Sequence, residues 1–215
     1  MKDMRLALRN ALHPEADLHP SWLPHDWPPR VRSRLRRASA GSQAVLGDVL
    51  RARGIVPASC DLAIGSPAAR LALIDGASLR CLAGYLGLCA HAGLLRERSR
   101  LGAQLRRQAR RLADDAADFV LDRTPPLTAL RMATAPLSDN PFGCGRIVLD
   151  RGYRLLHGVI AVAGDSTLQR ALRKSPRRVS MQPVPQLTPS QSTQLEELLR
   201  LCLIPERLEA WDWLF

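Results

Sequence analysis

The sequence predicts an all-α fold: a single irregular multi-helix domain over residues 1–215, its helices separated by proline-rich joints. Three observations carry this expectation. Hydrophobic residues make up 46% of the chain but aromatics only 4%, so the core must be built from Leu, Ala, Val and Ile. Ala and Leu are strong helix formers, and the β-branched residues that favour strands are few. Apolar residues recur at three- and four-residue spacing, and no period-2 alternation is long enough to read as a strand beyond a minor hairpin.

The N-terminal part, residues 1–29, reads as a short helix over Asp3–Ala11 that stops before Pro14, then a Pro/Trp-rich segment. His19-Pro20-Ser21-Trp22-Leu23-Pro24 and Trp27-Pro28-Pro29 forbid a regular helix and favour extended, polyproline-like backbone. The two tryptophans read as anchors that clip this segment onto the helical body. Helices are expected over Arg30–Arg37 and over Gln43–Arg53, the second ending at Gly54, a residue suited to the left-handed position after a helix. A loop around Pro57–Pro67 leads to a short helix carrying Leu71, Leu73 and Ile74. Asp75, Gly76 and Ser78 supply a stop and a fresh cap.

Ser78–Leu95 is apolar on nearly every face, the mark of a central helix, and Gly84, Gly87 and Gly93 permit close packing. The clearest amphipathic pattern follows. At about 100° per residue from Arg96, Leu101, Leu105, Leu112 and Phe119 fall at roughly 140–180°, whereas Arg100, Arg107 and Arg111 fall at roughly 20–60°. Pro125, Pro126, Pro136 and Pro141 mark a loop-rich interval. Gly145–Val162 resumes as an apolar helix, and Asp165 or Ser166 can cap a shorter one reaching Lys174. Residues 175–189 form a Pro-rich connection. Thr188-Pro189 opens a last helix through Leu195, Leu198, Leu199 and Leu203, and the apolar tail Trp211-Asp212-Trp213-Leu214-Phe215 should dock on the body.

The formal charge is +11, and Lys2 and Lys174 are the only lysines. An arginine excess of this size points to an acidic partner, whether nucleic acid, anionic lipid or protein, although the arginine bias equally matches a GC-rich coding sequence. The five cysteines, Cys60, Cys81, Cys89, Cys144 and Cys202, are odd in number and show no C-x-x-C spacing. They read as buried free thiols of a reducing compartment rather than a disulfide framework or zinc knuckle. The first residues lack the apolar run of a signal peptide, and Leu82–Leu95 is too short to span a bilayer, so a cytoplasmic location without membrane insertion is expected.

Motifs for chemistry are missing. There is no G-x-x-x-x-G-K-[ST], no G-x-S-x-G and no H-E-x-x-H, and Gly143-Cys144-Gly145 lacks the preceding strand of a dinucleotide fingerprint. His13, His19 and His25 stand six apart among prolines, a spacing that does not bring metal ligands onto one helix face. His91 and His157 sit on apolar helical stretches, where core histidines are a better reading than a Cys89–His157 nucleophile and base. Asp114, Asp115 and Asp118 occupy solvent-like positions. No enzyme activity and no cofactor are therefore expected. The arginine face, Arg96, Arg100, Arg107 and Arg111, is the candidate partner-binding site, because guanidinium forks match carboxylates bidentately; it is also what a solvated helix face looks like. Nucleic-acid binding would add stacking aromatics or a known module, which neither this face nor the Arg30–Arg37 run carries.

The order of these segments resembles the SctK (YscK/PscK/OrgA/MxiK) family of type III secretion sorting-platform proteins. Leu18-His19-Pro20-Ser21-Trp22-Leu23-Pro24 is similar to that family's opening. Leu79-Arg80-Cys81-Leu82-Ala83-Gly84-Tyr85-Leu86-Gly87-Leu88-Cys89-Ala90-His91 looks like its central apolar helix, and Gly152-Tyr153-Arg154-Leu155-Leu156 and the closing helix ending in Leu214-Phe215 fall in similar order. Residues 120–145 match poorly, and this chain is more basic than some relatives. The resemblance implies a non-enzymatic adaptor that links the SctQ-type pod protein to the cytoplasmic forkhead-associated-like domain of the SctD-type inner-membrane ring protein. The SctL-type stator and SctN-type ATPase would be indirect partners, and the location peripheral to the inner membrane at the base of the apparatus. It fixes no contact residues. An Arg-rich nucleic-acid-binding or regulatory helical protein is the alternative reading.

Overall fold

The computed structural model describes residues 8, 17–28, 30, 40–56, 65–128, 130 and 143–215. The helices expected over Asp3–Ala11 and Arg30–Arg37 lie outside these residues except for Leu8 and Arg30, as do His13, Cys60, Pro136 and Pro141. Among the described residues there are eleven α-helices and no strands, as the all-α expectation requires. They fall into two compact units, each assembled from segments distant in sequence.

The first unit comprises Met1–Leu79, Ile160–Pro183 and Leu214. Its tryptophan anchors work as the sequence suggests. The Pro-rich segment is not wholly extended: Pro20–Trp22 makes one 3₁₀ turn, because proline suits the first helical position and the His19 ring accepts a hydrogen bond from the Ser21 amide at 3.2 Å. Trp22 is buried, its Nε1 donates to the Ser175 carbonyl at 3.1 Å, and the Arg173 guanidinium lies 4.1 Å from its ring centre. Helix α1 (Ala40–Ala52) carries Leu46 and Leu50 into a small core with Leu23 and Val56, against which Trp27 packs. It ends where expected. Gly54 takes φ +65°, and the Gly54 and Ile55 amides return to the Arg51 and Leu50 carbonyls, a closure that needs a left-handed residue.

Helix α2 (Pro67–Leu71) is capped by Ser66, and Ala72, Leu73 and Ile74 follow it into the interior rather than lying on the helix. Asp75 caps the start of helix α3 (Gly76–Cys89) by accepting from the Ala77 and Ser78 amides and the Ser78 hydroxyl. Helix α8 (Asp165–Lys174) is preceded by Gly164 at φ +106°, so Asp165 is its first residue and not the cap expected of it or of Ser166. Lys174, at its end, is fully buried. Its ammonium donates to the Ala72 and Ile74 carbonyls at 3.0 and 2.7 Å and lies 3.6 Å from Asp17. Burial pushes Lys174 below the usual lysine range and Asp17 above the usual carboxylate range. Helix α9 (Arg177–Ser180) puts one helical turn into the Pro-rich connection expected over residues 175–189.

The second unit comprises Arg80–Val159, Val184–Trp213 and Phe215. The expected apolar helix over Ser78–Leu95 is broken: α3 ends at Cys89, and helix α4 (Ala92–Arg96) restarts after His91. The buried His91 ring accepts from Arg151 Nη1 at 2.8 Å, a tertiary bond that local periodicity does not register. Helices α5 (Arg100–Ala109) and α6 (Ala116–Asp122) follow. Helix α7 (Cys144–Ala161) crosses α3 at glycine contacts: a methyl on Gly87 would stand 2.8 Å from the Val148 carbonyl carbon, and one on Gly152 would stand 2.6 Å from that of Ala83. Real Cβ atoms do not approach so closely, so glycine is required at both positions.

Helix α10 (Pro189–Leu198) opens with the complete capping box of Thr188 and Gln191. It widens into a π turn over Leu199–Leu203 before helix α11 (Ile204–Arg207). Pro205 accounts for the widening, since its ring would clash with the Leu201 carbonyl of a regular helix. The tail forms a 3₁₀ turn, Glu209–Leu214, with Trp211 buried and Trp213 half-exposed.

Candidate functional site

The predicted arginine stripe is not one helix face. It is built on α4, the turn Glu97–Ser99, α5 and the turn after it. Helix α5 starts at Arg100 because the Ser99 hydroxyl accepts the Gly102 amide at 3.1 Å, and Ser is a strong cap. Gly102 lets α5 lie against the end of α4: a methyl there would stand 2.6 Å from the Leu94 carbonyl oxygen. Arg106 ties the same corner, donating through Nη1 to the Leu95 carbonyl and to that of Glu97. Helix α4 packs on both α5 and α6. The buried side of the corner is apolar, with Leu95, Leu105 and Phe119 almost wholly excluded from solvent, and Leu112 covers Gly84. Leu101 stays half-buried.

Arg96, Arg100, Arg107 and Arg111 are all exposed. The structure adds two. Arg98 lies in the turn and Arg110 caps α5, and both are exposed. At about 100° per residue from Arg96, Arg98 falls at about 200°, among the leucines, so only charge density could have found it, whereas Arg110 falls at about 320°, within reach of the periodic face. Arg106, by contrast, is drawn into the corner. Among the described residues no ion pair engages any of the six exposed guanidinium groups, while Arg51, Arg53 and Arg207 do pair with carboxylates. Six exposed guanidinium groups within residues 96–111 can hold carboxylates or phosphates by paired hydrogen bonds.

The other polar groups read from the sequence are placed differently. The buried Cys89 thiol lies 3.7 Å from the Thr124 hydroxyl, and burial pushes its pKa up to about 12. His157 is buried near the Tyr153 ring, and burial pushes it down to about 4; His91 is likewise pushed down to about 4, by burial and then by Arg151. A thiol that resists ionisation and imidazoles that resist protonation are poorly tuned for nucleophilic or general-base chemistry. Asp118, Asp122 and Glu206 line a groove of about 260 Å³ beside Asp115, which Arg207 engages. Among the described residues no group of three or more His, Cys, Asp or Glu side chains is arranged to hold a metal ion, and no helix is long and apolar enough to cross a membrane.

Comparison with protein-family models, with curated proteins and with solved structures finds no match to this chain.

Proposed function

We propose that the chain is a non-enzymatic adaptor of the bacterial type III secretion sorting platform, joining an SctQ-type pod protein to the cytoplasmic forkhead-associated-like domain of an SctD-type ring protein. The observation that carries this reading is the exposed arginine surface of α4 and α5, whose charges have no counter-ions within the described residues. Such a surface is made for a polar, exchangeable interface rather than a permanent apolar one. The order of the sequence segments resembling the SctK family supplies the identity of the partners and a place peripheral to the inner membrane, with the stator and ATPase as indirect neighbours.

The test is co-elution. The purified chain is mixed with an SctQ-type pod protein, with the cytoplasmic domain of an SctD-type ring protein, and with both. An adaptor gives both binary complexes and a ternary one. Failure to bind either partner contradicts the proposal.

A further inference from the structure

The surface of α4 and α5 constrains what can sit on it, and this step rests on the adaptor reading only in taking the surface as a docking site. Six exposed arginines, Arg96, Arg98, Arg100, Arg107, Arg110 and Arg111, fall within residues 96–111, and Arg100 and Arg107 share one face of α5 at i, i+7 spacing. Within the same stretch Glu97 is exposed, and Asp114, Asp118 and Asp122 are exposed immediately beyond it. The last two lie on α6, which packs against both α4 and α5. A ligand that ran on past the arginines would therefore meet like charge. A nucleic-acid duplex and an anionic bilayer are both extended arrays of phosphate, and each neutralised phosphate needs a cation opposite it. No aromatic residue occurs between Arg96 and Asp118 to stack on a base or to enter a headgroup layer. Six arginines and no lysine favour planar, two-oxygen acceptors.

We infer that this patch binds a short acidic segment of a protein, a helix carrying carboxylates on one face, and not a polyphosphate or membrane surface. The spacing gives the segment a register. Arg100 and Arg107 are seven residues apart on α5, about 10 Å along the axis, so glutamates two helical turns apart on the ligand meet both forks at once.

The probe is a capped synthetic helical peptide with glutamates at i, i+3 and i+7, compared with a peptide of the same composition whose glutamates are spread around the helix. The protein variants are R100E/R107E in the patch and R80E/R200E at exposed positions elsewhere, which change net charge equally. The account expects the one-faced peptide to bind wild type more tightly than the spread one. It expects affinity to fall about tenfold or more in R100E/R107E and to stay within about twofold in R80E/R200E. Duplex DNA and phosphatidylglycerol vesicles, if bound at all, should weaken equally in the two variants, following net charge. The inference is overturned if the two peptides bind alike, if the two variants affect the peptide alike, or if DNA or vesicle binding collapses in the patch variant alone. Because the probe is synthetic, these outcomes are independent of whether the chain joins a pod to a ring protein.

Discussion

Arg207 holds Asp115 through two hydrogen bonds, of 3.1 and 2.7 Å, while its guanidinium lies 3.8 Å from the centre of the Phe119 ring. The same group is 5.3 Å from the Tyr85 ring, which meets Phe119 edge-on. One side chain thereby ties α11 to α3 and α6 of the second unit. Arg207→Ala removes the stacking and packing together, and should lower stability by about 1–2 kcal/mol in urea unfolding. The Arg207 hydrogen bonds also hold the Asp115 carboxyl below the usual carboxylate range. A carboxyl whose folded pKa is depressed contributes stability above its unfolded value, and loses it as pH falls through the folded one. The variant's loss relative to wild type should accordingly shrink in acid.

Glycines of the second unit should respond in opposite directions. Gly152 of α7 has the Ala83 carbonyl in the place its Cβ would take, whereas Gly93 of α4 is exposed with open space around it. Gly152→Ala should cost about 1–3 kcal/mol or more through overpacking. Gly93→Ala should stabilise by roughly 0.5–1 kcal/mol, as alanine does in a helix. Thermal melts of the two variants check both signs.

The buried histidines make stability fall in mild acid. His157 is held near pH 4 by burial, well below its ordinary 6.5, and His91 shifts the same way. The unfolded chain takes up these protons near pH 6.5, but the folded chain resists until about 4. Their contribution is therefore complete above about pH 6.5 and declines between there and about 4, on the order of 2 kcal/mol per histidine by pH 5. Urea midpoints at pH 7 and pH 5 should differ accordingly, and His157→Gln should reduce the difference by about half.

The parts of this architecture legible in the sequence are those set by local chemistry. Gly54, the Thr188-Pro189 start of α10 and the leucine positions of α5 all act within a turn or two of themselves. Leu105 and Phe119 are buried as their angular positions require, even though a break over residues 110–115 separates the helices that carry them. The breaks were not legible. The interruption at Ala90–His91 accompanies a bond to Arg151, sixty residues away, and the turn at Glu97–Ser99 depends on the close approach that Gly102 permits. Nothing in residue type marks Lys174 as buried against the Ala72 and Ile74 carbonyls or Arg207 as stacked on Phe119. The arginine site was legible as charge density and mostly as geometry: five of its six members fall within an arc of about 100°, and the turn after α4 supplies Arg98.

The proposal tested most directly is that the arginines of α4 and α5 join this chain to the pod and ring proteins proposed above. Exposed single pairs contribute only about 0.2–1 kcal/mol, so Arg100→Ala or Arg107→Ala alone should be nearly silent. Reversing both to Glu replaces attraction with repulsion while leaving the buried leucines untouched. The decisive measurement is the affinity of R100E/R107E for the purified pod protein and ring-protein domain, with circular dichroism as the folding control. The account predicts a helical spectrum like wild type and a loss of about tenfold or more in affinity for at least one partner. A folded variant that binds both partners as wild type does would contradict it.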